Sequence, residues 1–228
     1  MNKANRIYKE IQQITLAVDC IIFGFNDYKL ELLLIHRGFQ PERGKWSLIG
    51  GFVQNNEDLD EAANRILFNL SGLENIYLEQ VKTFGKSNRD PFERVVSTTY
   101  SAMILKSDYN EDKVEEYDAK WFPIDQVPEL IFDHREMVNS AINRLRRRIR
   151  STPIAFYLLP QKFTLPQLQA LYEVILNEDI DKRNFRKKIA QMKFLVKLNE
   201  KDMSESRKGA YLYRFDKILY EKDKYFNL

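Results

Sequence analysis

At 228 residues the chain is long enough for two modest domains, each able to bury a core. One cysteine excludes an internal disulfide, two histidines cannot build a zinc site unaided, and no run of about twenty apolar residues is present to form a membrane-spanning helix. The net charge of +3 hides a division: residues 1–143 hold 16 Lys/Arg against 23 Asp/Glu, whereas residues 144–228 hold 20 against 10, so the second part suits a polyanionic partner. In chain order, Met1–Arg6 leads into no apolar core of signal type, which sets the expectation of a cytoplasmic protein with no membrane partner. Two strands come next, Leu16–Gly24 and Leu30–Arg37, joined by a turn at Asn26-Asp27. Cys20 lies inside the first and reads as a small core residue rather than a nucleophile.

The run Gly44–Val53 follows, and then Gly51, Glu57, Arg65, Leu67, Gly72 and Leu73 fall in the register of the Nudix signature, G-x5-E-x7-R-E-U-x-E-E-x-G-U, where U is bulky and apolar. The remaining acidic positions read Ile66, Asn69 and Leu70. Residues at i, i+3 and i+4 of a helix share one face, so glutamates there would converge on a divalent cation, and Mg2+ needs hard oxygen ligands. Isoleucine and leucine offer no lone pair, and an amide oxygen carries no charge, so no metal, no cofactor and no hydrolysis are expected. Asp60 and Glu61 are nearby carboxylates; Glu61 is expected to form an i,i+4 surface ion pair with Arg65. His134, in Phe132-Asp133-His134-Arg135, reads as a loop or helix-start residue, with a minor reading as a base beside its acidic neighbours.

A helical pattern runs from about Arg135 into Arg144-Leu145-Arg146-Arg147-Arg148-Ile149-Arg150, and Ser151-Thr152-Pro153 breaks it. The domain boundary is placed there, giving residues 1–150 and 151–228. Beyond it Thr164 caps a helix with Pro166 in its first turn, and Leu168, Leu171, Tyr172, Ile175 and Leu176 recur at helical spacing. Asp181 caps a second helix, Lys182–Met192, with Phe185, Ile189 and Met192 as its buried stripe. Its other faces carry Lys182, Arg183, Asn184, Arg186, Lys187 and Lys188, a set able to contact phosphates and base edges in a major groove. Phe194–Leu198 and Ala210–Phe215 alternate as a hairpin around a polar loop, Asn199–Gly209, containing Arg207 and Lys208. A charge run is often only a solvated face. Here a helix-turn-helix followed by a hairpin is the layout of a winged helix, and the basic residues are assigned to double-stranded DNA.

Thr15–Val53, Gly85–Pro91, and Phe163-Thr164-Leu165 through Asp181–Ile189 together resemble the Nudix-related transcriptional regulators, over nearly the whole chain. The resemblance implies an α+β protein: a Nudix-like α/β/α sandwich with a mixed sheet, then a winged helix-turn-helix. It also implies a homodimeric repressor that binds a palindromic operator until an effector releases it. The arabinose-utilisation branch is the nearer resemblance, so the expected effector is L-arabinose or a related sugar; a neutral ligand also suits a pocket without metal-binding carboxylates. The alternative is a Nudix hydrolase or an ADP-ribose-sensing regulator of NAD metabolism. From the pocket-lining segments of Nudix domains, the effector candidates are Arg37, Lys45, Trp46, Glu57, Asn69, Arg89 and Asp90. Each has a structural alternative: Trp46 as a core anchor, Glu57 as a brace of the Nudix loop, Arg89-Asp90-Pro91 as a capped turn.

Overall fold

The computed structural model describes residues 13–26, 28–109, 116–204 and 207–223. The Met1–Arg6 segment and Asp27 of the first turn lie outside them. A seven-stranded mixed sheet is built from β1 (Thr15–Asn26), β2 (Lys29–His36), β3 (Trp46–Ser47), β4 (Ile49–Phe52), β5 (Glu79–Phe84), β6 (Val95–Leu105) and β7 (Ala119–Pro123). The spine runs β3-β2-β1-β6-β5; β4 also pairs with β1, and β7 with β2. β1 and β6 are parallel, in register from Thr15↔Val95 to Phe25↔Leu105. Asn26 still pairs with Lys29 as the last pair of the ladder, and Tyr28 adopts φ 61°.

Strand β1 is buried from Ala17 to Gly24 because the sheet is covered on both faces. On one face Val18, Cys20 and Ile22 pack with Ala62, Ala63, Ile66 and Leu67 of helix α1 (Leu59–Ser71). On the other, Ile21 and Phe23 meet Met137, Ala141 and Leu145 of helix α2 (His134–Arg148). That is the expected sandwich. Cys20 is a closed core thiol, its pKa pushed up by burial.

Helix α1 starts at a capping box: Asp58 accepts from the Glu61 backbone N–H, and the Glu61 carboxylate accepts from that of Asp58. It ends at Gly72, which takes φ 69° and donates to the Phe68 carbonyl. The expected Glu61–Arg65 pair is therefore replaced, since Glu61 is used by the cap and Arg65 turns to Glu57. After α2 a six-residue 3-10 segment, Pro153–Leu158, leads into β8 (Phe163–Thr164), α3 (Leu165–Leu176), α4 (Lys182–Ile189), β9 (Leu195–Asp202), β10 (Ala210–Phe215) and α5 (Lys217–Asp223). Thr164 caps α3 as expected, with Gln167 completing its box, and Asn177 closes it at φ 57°. Three details differ from expectation. Helix α4 stops at Ile189 rather than Met192, β9 extends through Asp202 into the expected loop, and β8 adds a third strand in the order β8-β10-β9.

The two halves share one core. Leu168, Leu171, Tyr172 and Ile175 of α3 belong to the same buried cluster as Leu30, Leu32 and Leu34 of β2. No helix among the described residues is long and apolar enough to cross a membrane.

Candidate functional site

The Nudix loop is held by Glu57. Its carboxylate accepts from Arg65 Nε at 2.7 Å and Nη2 at 2.5 Å and from the Gln54 backbone N–H at 2.8 Å, while Arg65 also donates to the Phe52 carbonyl at 3.0 Å. These donors hold the Glu57 carboxyl at a pKa of about 2. The brace occupies both partners, which is the structural alternative foreseen for Glu57. Next to Arg65, Ile66 is 4% exposed and rests over Gly51, where an added Cβ would lie 3.0 Å from Ile66 Cδ1. Leu70 packs half-buried in the same apolar cluster, and Asn69 stands exposed on α1. Asp60 is engaged by the Tyr100 hydroxyl at 2.5 Å. Among the described residues, no group of three or more His, Cys, Asp or Glu side chains is placed to hold a metal ion.

Charge gathers instead around Asp19, a carboxylate in the middle of the apolar β1. Ser97 of β6 donates to it at 2.5 Å, Arg89 Nη2 lies 3.8 Å away, and His134 Nε2 is at 3.6 Å. Arg89 is itself closed off from solvent and donates to both oxygens of Asp133, at 2.8 and 3.0 Å. His134 Nδ1 accepts from the Leu48 backbone N–H at 3.2 Å. Burial lowers the His134 pKa against the opposing pull of Asp19 and Asp133, so the ring is neutral. Gly50 is required here, because a Cβ would fall 2.1 Å from Asp19 Oδ1. Arg37 borders this cluster. Its guanidinium stacks 3.9 Å from the Phe39 ring centroid and 5.4 Å from that of Phe132, its Nε donates to the Pro41 carbonyl at 2.6 Å, and partial burial lowers its pKa. Phe132 adopts φ 49°, an uncommon conformation for a bulky residue.

The structure thus brings Arg37, Arg89 and Asp90 to one neighbourhood, where Asp90 acts on Arg37 through its charge. Asp90 also accepts from the Phe92 N–H at 2.9 Å, so the capped turn forms as well. Lys45 is exposed and paired with Glu42. Trp46 stacks on His36 at 3.6 Å and meets Phe122 edge-on at 4.7 Å, a packing role. Sequence reasoning overlooked Asp19, Ser97, Phe39 and Asp133. A single carboxylate inside an otherwise apolar strand was the available signal, since such a charge demands a buried partner.

At the other end, α4 buries Phe185 and Ile189 and leaves Lys182, Arg183, Asn184, Arg186, Lys187 and Lys188 exposed. Asp181 accepts from the Asn184 N–H at 2.8 Å and fixes the first turn. Arg207 and Lys208 are exposed in the turn between β9 and β10. The Lys197 and Lys201 ammonium groups lie 3.7 and 4.9 Å from the Tyr211 ring centroid, adding cations to that hairpin.

Residues 13–141 match the NUDIX domain family, and residues 155–215 match the NrtR DNA-binding winged helix domain. The chain is 32% identical over 204 residues to the ADPR responsive transcriptional repressor NtrR of Acinetobacter baylyi, covering 88% of this chain and 81% of that protein. Its fold matches the crystal structure of Shewanella oneidensis NrtR complexed with a 27mer DNA, with a TM-score of 0.78 and 30% identity over 90% of this chain and 95% of the other. The NUDIX domain of the same Shewanella protein, complexed with ADP ribose, matches 64% of this chain and 99% of its own length, with a TM-score of 0.53 and 29% identity. These relatives correct the expected assignment to the arabinose branch: one is named for its response to ADP-ribose and another holds that molecule.

Proposed function

The chain belongs to the NrtR-type Nudix regulators, and from that premise we propose that it is a transcriptional repressor whose Nudix half binds ADP-ribose without hydrolysing it. The observation that carries this reading is the pairing of an apolar Nudix face, Ile66 over Gly51, with an exposed basic helix α4 in one chain. The first supports ligand retention and the second supports operator binding as a homodimer. Similarity to a repressor named for ADPR supports the effector in place of a sugar. Missing carboxylates do not require a neutral ligand, because cationic and backbone donors can neutralise a diphosphate without a metal bridge. Arg37, flanked by the Phe39 and Phe132 rings, is the side chain we assign to effector contact; Arg89 and Asp90 support its surroundings.

Fluorescence anisotropy on an operator duplex recovered by in vitro selection tests the reading. ADP-ribose should release the duplex and L-arabinose should not, with equal release in Mg2+ and in EDTA. Incubation with ADP-ribose and Mg2+ should leave the nucleotide intact. Release by arabinose alone, or accumulation of AMP, would refute the assignment.

A further inference from the structure

The run Arg144–Arg150 divides by helical periodicity. Arg146 Nε donates to the Ile175 carbonyl at 2.8 Å and Arg150 pairs with Glu178 at 2.9 Å, both toward α3 and the turn after it. Arg144 and Arg148, one turn apart, face the other way and converge on a single carboxylate, Glu79 at the start of β5. Two guanidinium groups therefore share one counter-charge. The Nε of Arg144 is buried and has no hydrogen-bond partner, although native proteins pair most buried donors.

These arginines line a cavity of about 450 Å3 at the β6-β5 edge of the sheet, where Phe23, Leu145 and Ile154 of the α2-side core meet Ile76, Ala102 and Ile104 of the α1-side core, and none of Asp19, Arg37, Glu57 or Arg89 lines it. Phe23, Met103, Leu145 and Ile154 give it an apolar wall, and Tyr77 and Tyr157, 85% and 62% exposed, add aromatic rings to its lining. The volume is that of a small-molecule site, and an apolar pocket with a few convergent polar groups is the usual form of one. Arg144 and Arg148 with Glu79 leave one positive charge unbalanced, which suits one carboxylate beside them, while Asp108 elsewhere in the lining brings the cavity's formal charge to zero and disfavours a polyanion such as a nucleoside diphosphate.

We propose that this cavity is a second ligand site, separate from the Nudix pocket, for a small amphipathic monoanion: a flat apolar body against Met103 and Leu145 and a carboxylate at Arg144 and Arg148. The site does not depend on the identity of the Nudix effector.

Calorimetric titration of the full chain with 2-naphthoate and its neutral analogue 2-naphthamide tests the proposal. Naphthoate should bind once per chain and at least tenfold more tightly than the amide. Arg148→Gln should bring it down to the amide's affinity, and Met103→Trp, which fills the cavity, should abolish both. Circular dichroism and sedimentation of each variant establish that fold and self-association are unchanged. Equal affinity for the two probes, full naphthoate binding in Arg148→Gln, or survival of binding in a folded Met103→Trp protein would each overturn the proposal. So would competition by ADP-ribose, which would place the probe in the Nudix pocket. A chain that took up naphthoate and ignored ADP-ribose would refute the effector assignment while leaving this site standing.

Discussion

Asp19 lies between Val18 and Cys20, both fully buried, and removing a carboxylate from water costs several kcal/mol unless partners compensate. Ser97, Arg89 and a neutral His134 supply that compensation. The histidine has a pH signature of its own. Its folded pKa is lowered from 6.5 by burial, so above that value both folded and unfolded chains hold it neutral. Below 6.5 the unfolded chain gains a proton that the fold resists, and stability falls as pH drops toward the folded pKa, by up to about 1.4 kcal/mol per pH unit. Urea midpoints measured between pH 7 and 5.5 should show this decline. In His134→Asn, whose amide oxygen can accept from Leu48 N–H, the decline should flatten; an unchanged slope would mean that another group titrates. Much of this residue-level arrangement was hidden in the sequence. Glu57 and Arg65 were legible because they lie eight residues apart on a known signature, but Arg89 and Asp133 meet across 44 positions, and only the sheet topology joins them.

Helix α4 has eight residues, too few to be stable alone, so it depends on Asp181 at its start and on Phe185 and Ile189 against the core. Asp181→Ala should lower stability by about 1 kcal/mol, read as a thermal shift, and weaken operator binding with it. Lys187→Ala and Lys188→Ala should weaken binding to every duplex and each reduce the salt-dependence slope by about 1, while Arg183→Ala or Asn184→Ala should relax sequence preference. Retention of full operator affinity in all four variants would remove α4 from the interface. Capping residues made α3 and α4 legible: Thr164, Pro166 and Asp181 mark their starts without any tertiary information. Strand β8 was not legible, because two residues carry no periodicity and Phe163–Thr164 becomes a strand only by pairing with Leu212 and Tyr213. Glu61 was misread for a related reason: both an i,i+4 pair and a capping box were open to it, and the backbone donor prevailed.

On the scale of the whole molecule, α2 joins the two candidate sites. Its first turn is tied to Asp19, Arg89 and Leu48, and its last turn donates through Arg146 to the Ile175 carbonyl of α3. If effector binding is transmitted along this helix, Arg146→Met should leave ADP-ribose affinity intact but shrink the effector-induced loss of operator affinity by about fivefold, roughly 1 kcal/mol of coupling. Equal release in mutant and parent would exclude that route. The split of charge at residue 144 located the change of partner in the sequence, but it gave no hint that the apolar side chains of β2 and α3 would close into one cluster. That cluster bears on how the molecule comes apart. Two domains on a flexible tether melt in separate steps, whereas here loss of α3 would open Leu30, Leu32 and Leu34 to water. Scanning calorimetry of the intact chain should therefore record one endotherm with matching calorimetric and van't Hoff enthalpies, and either half expressed alone should show a weakened or absent transition.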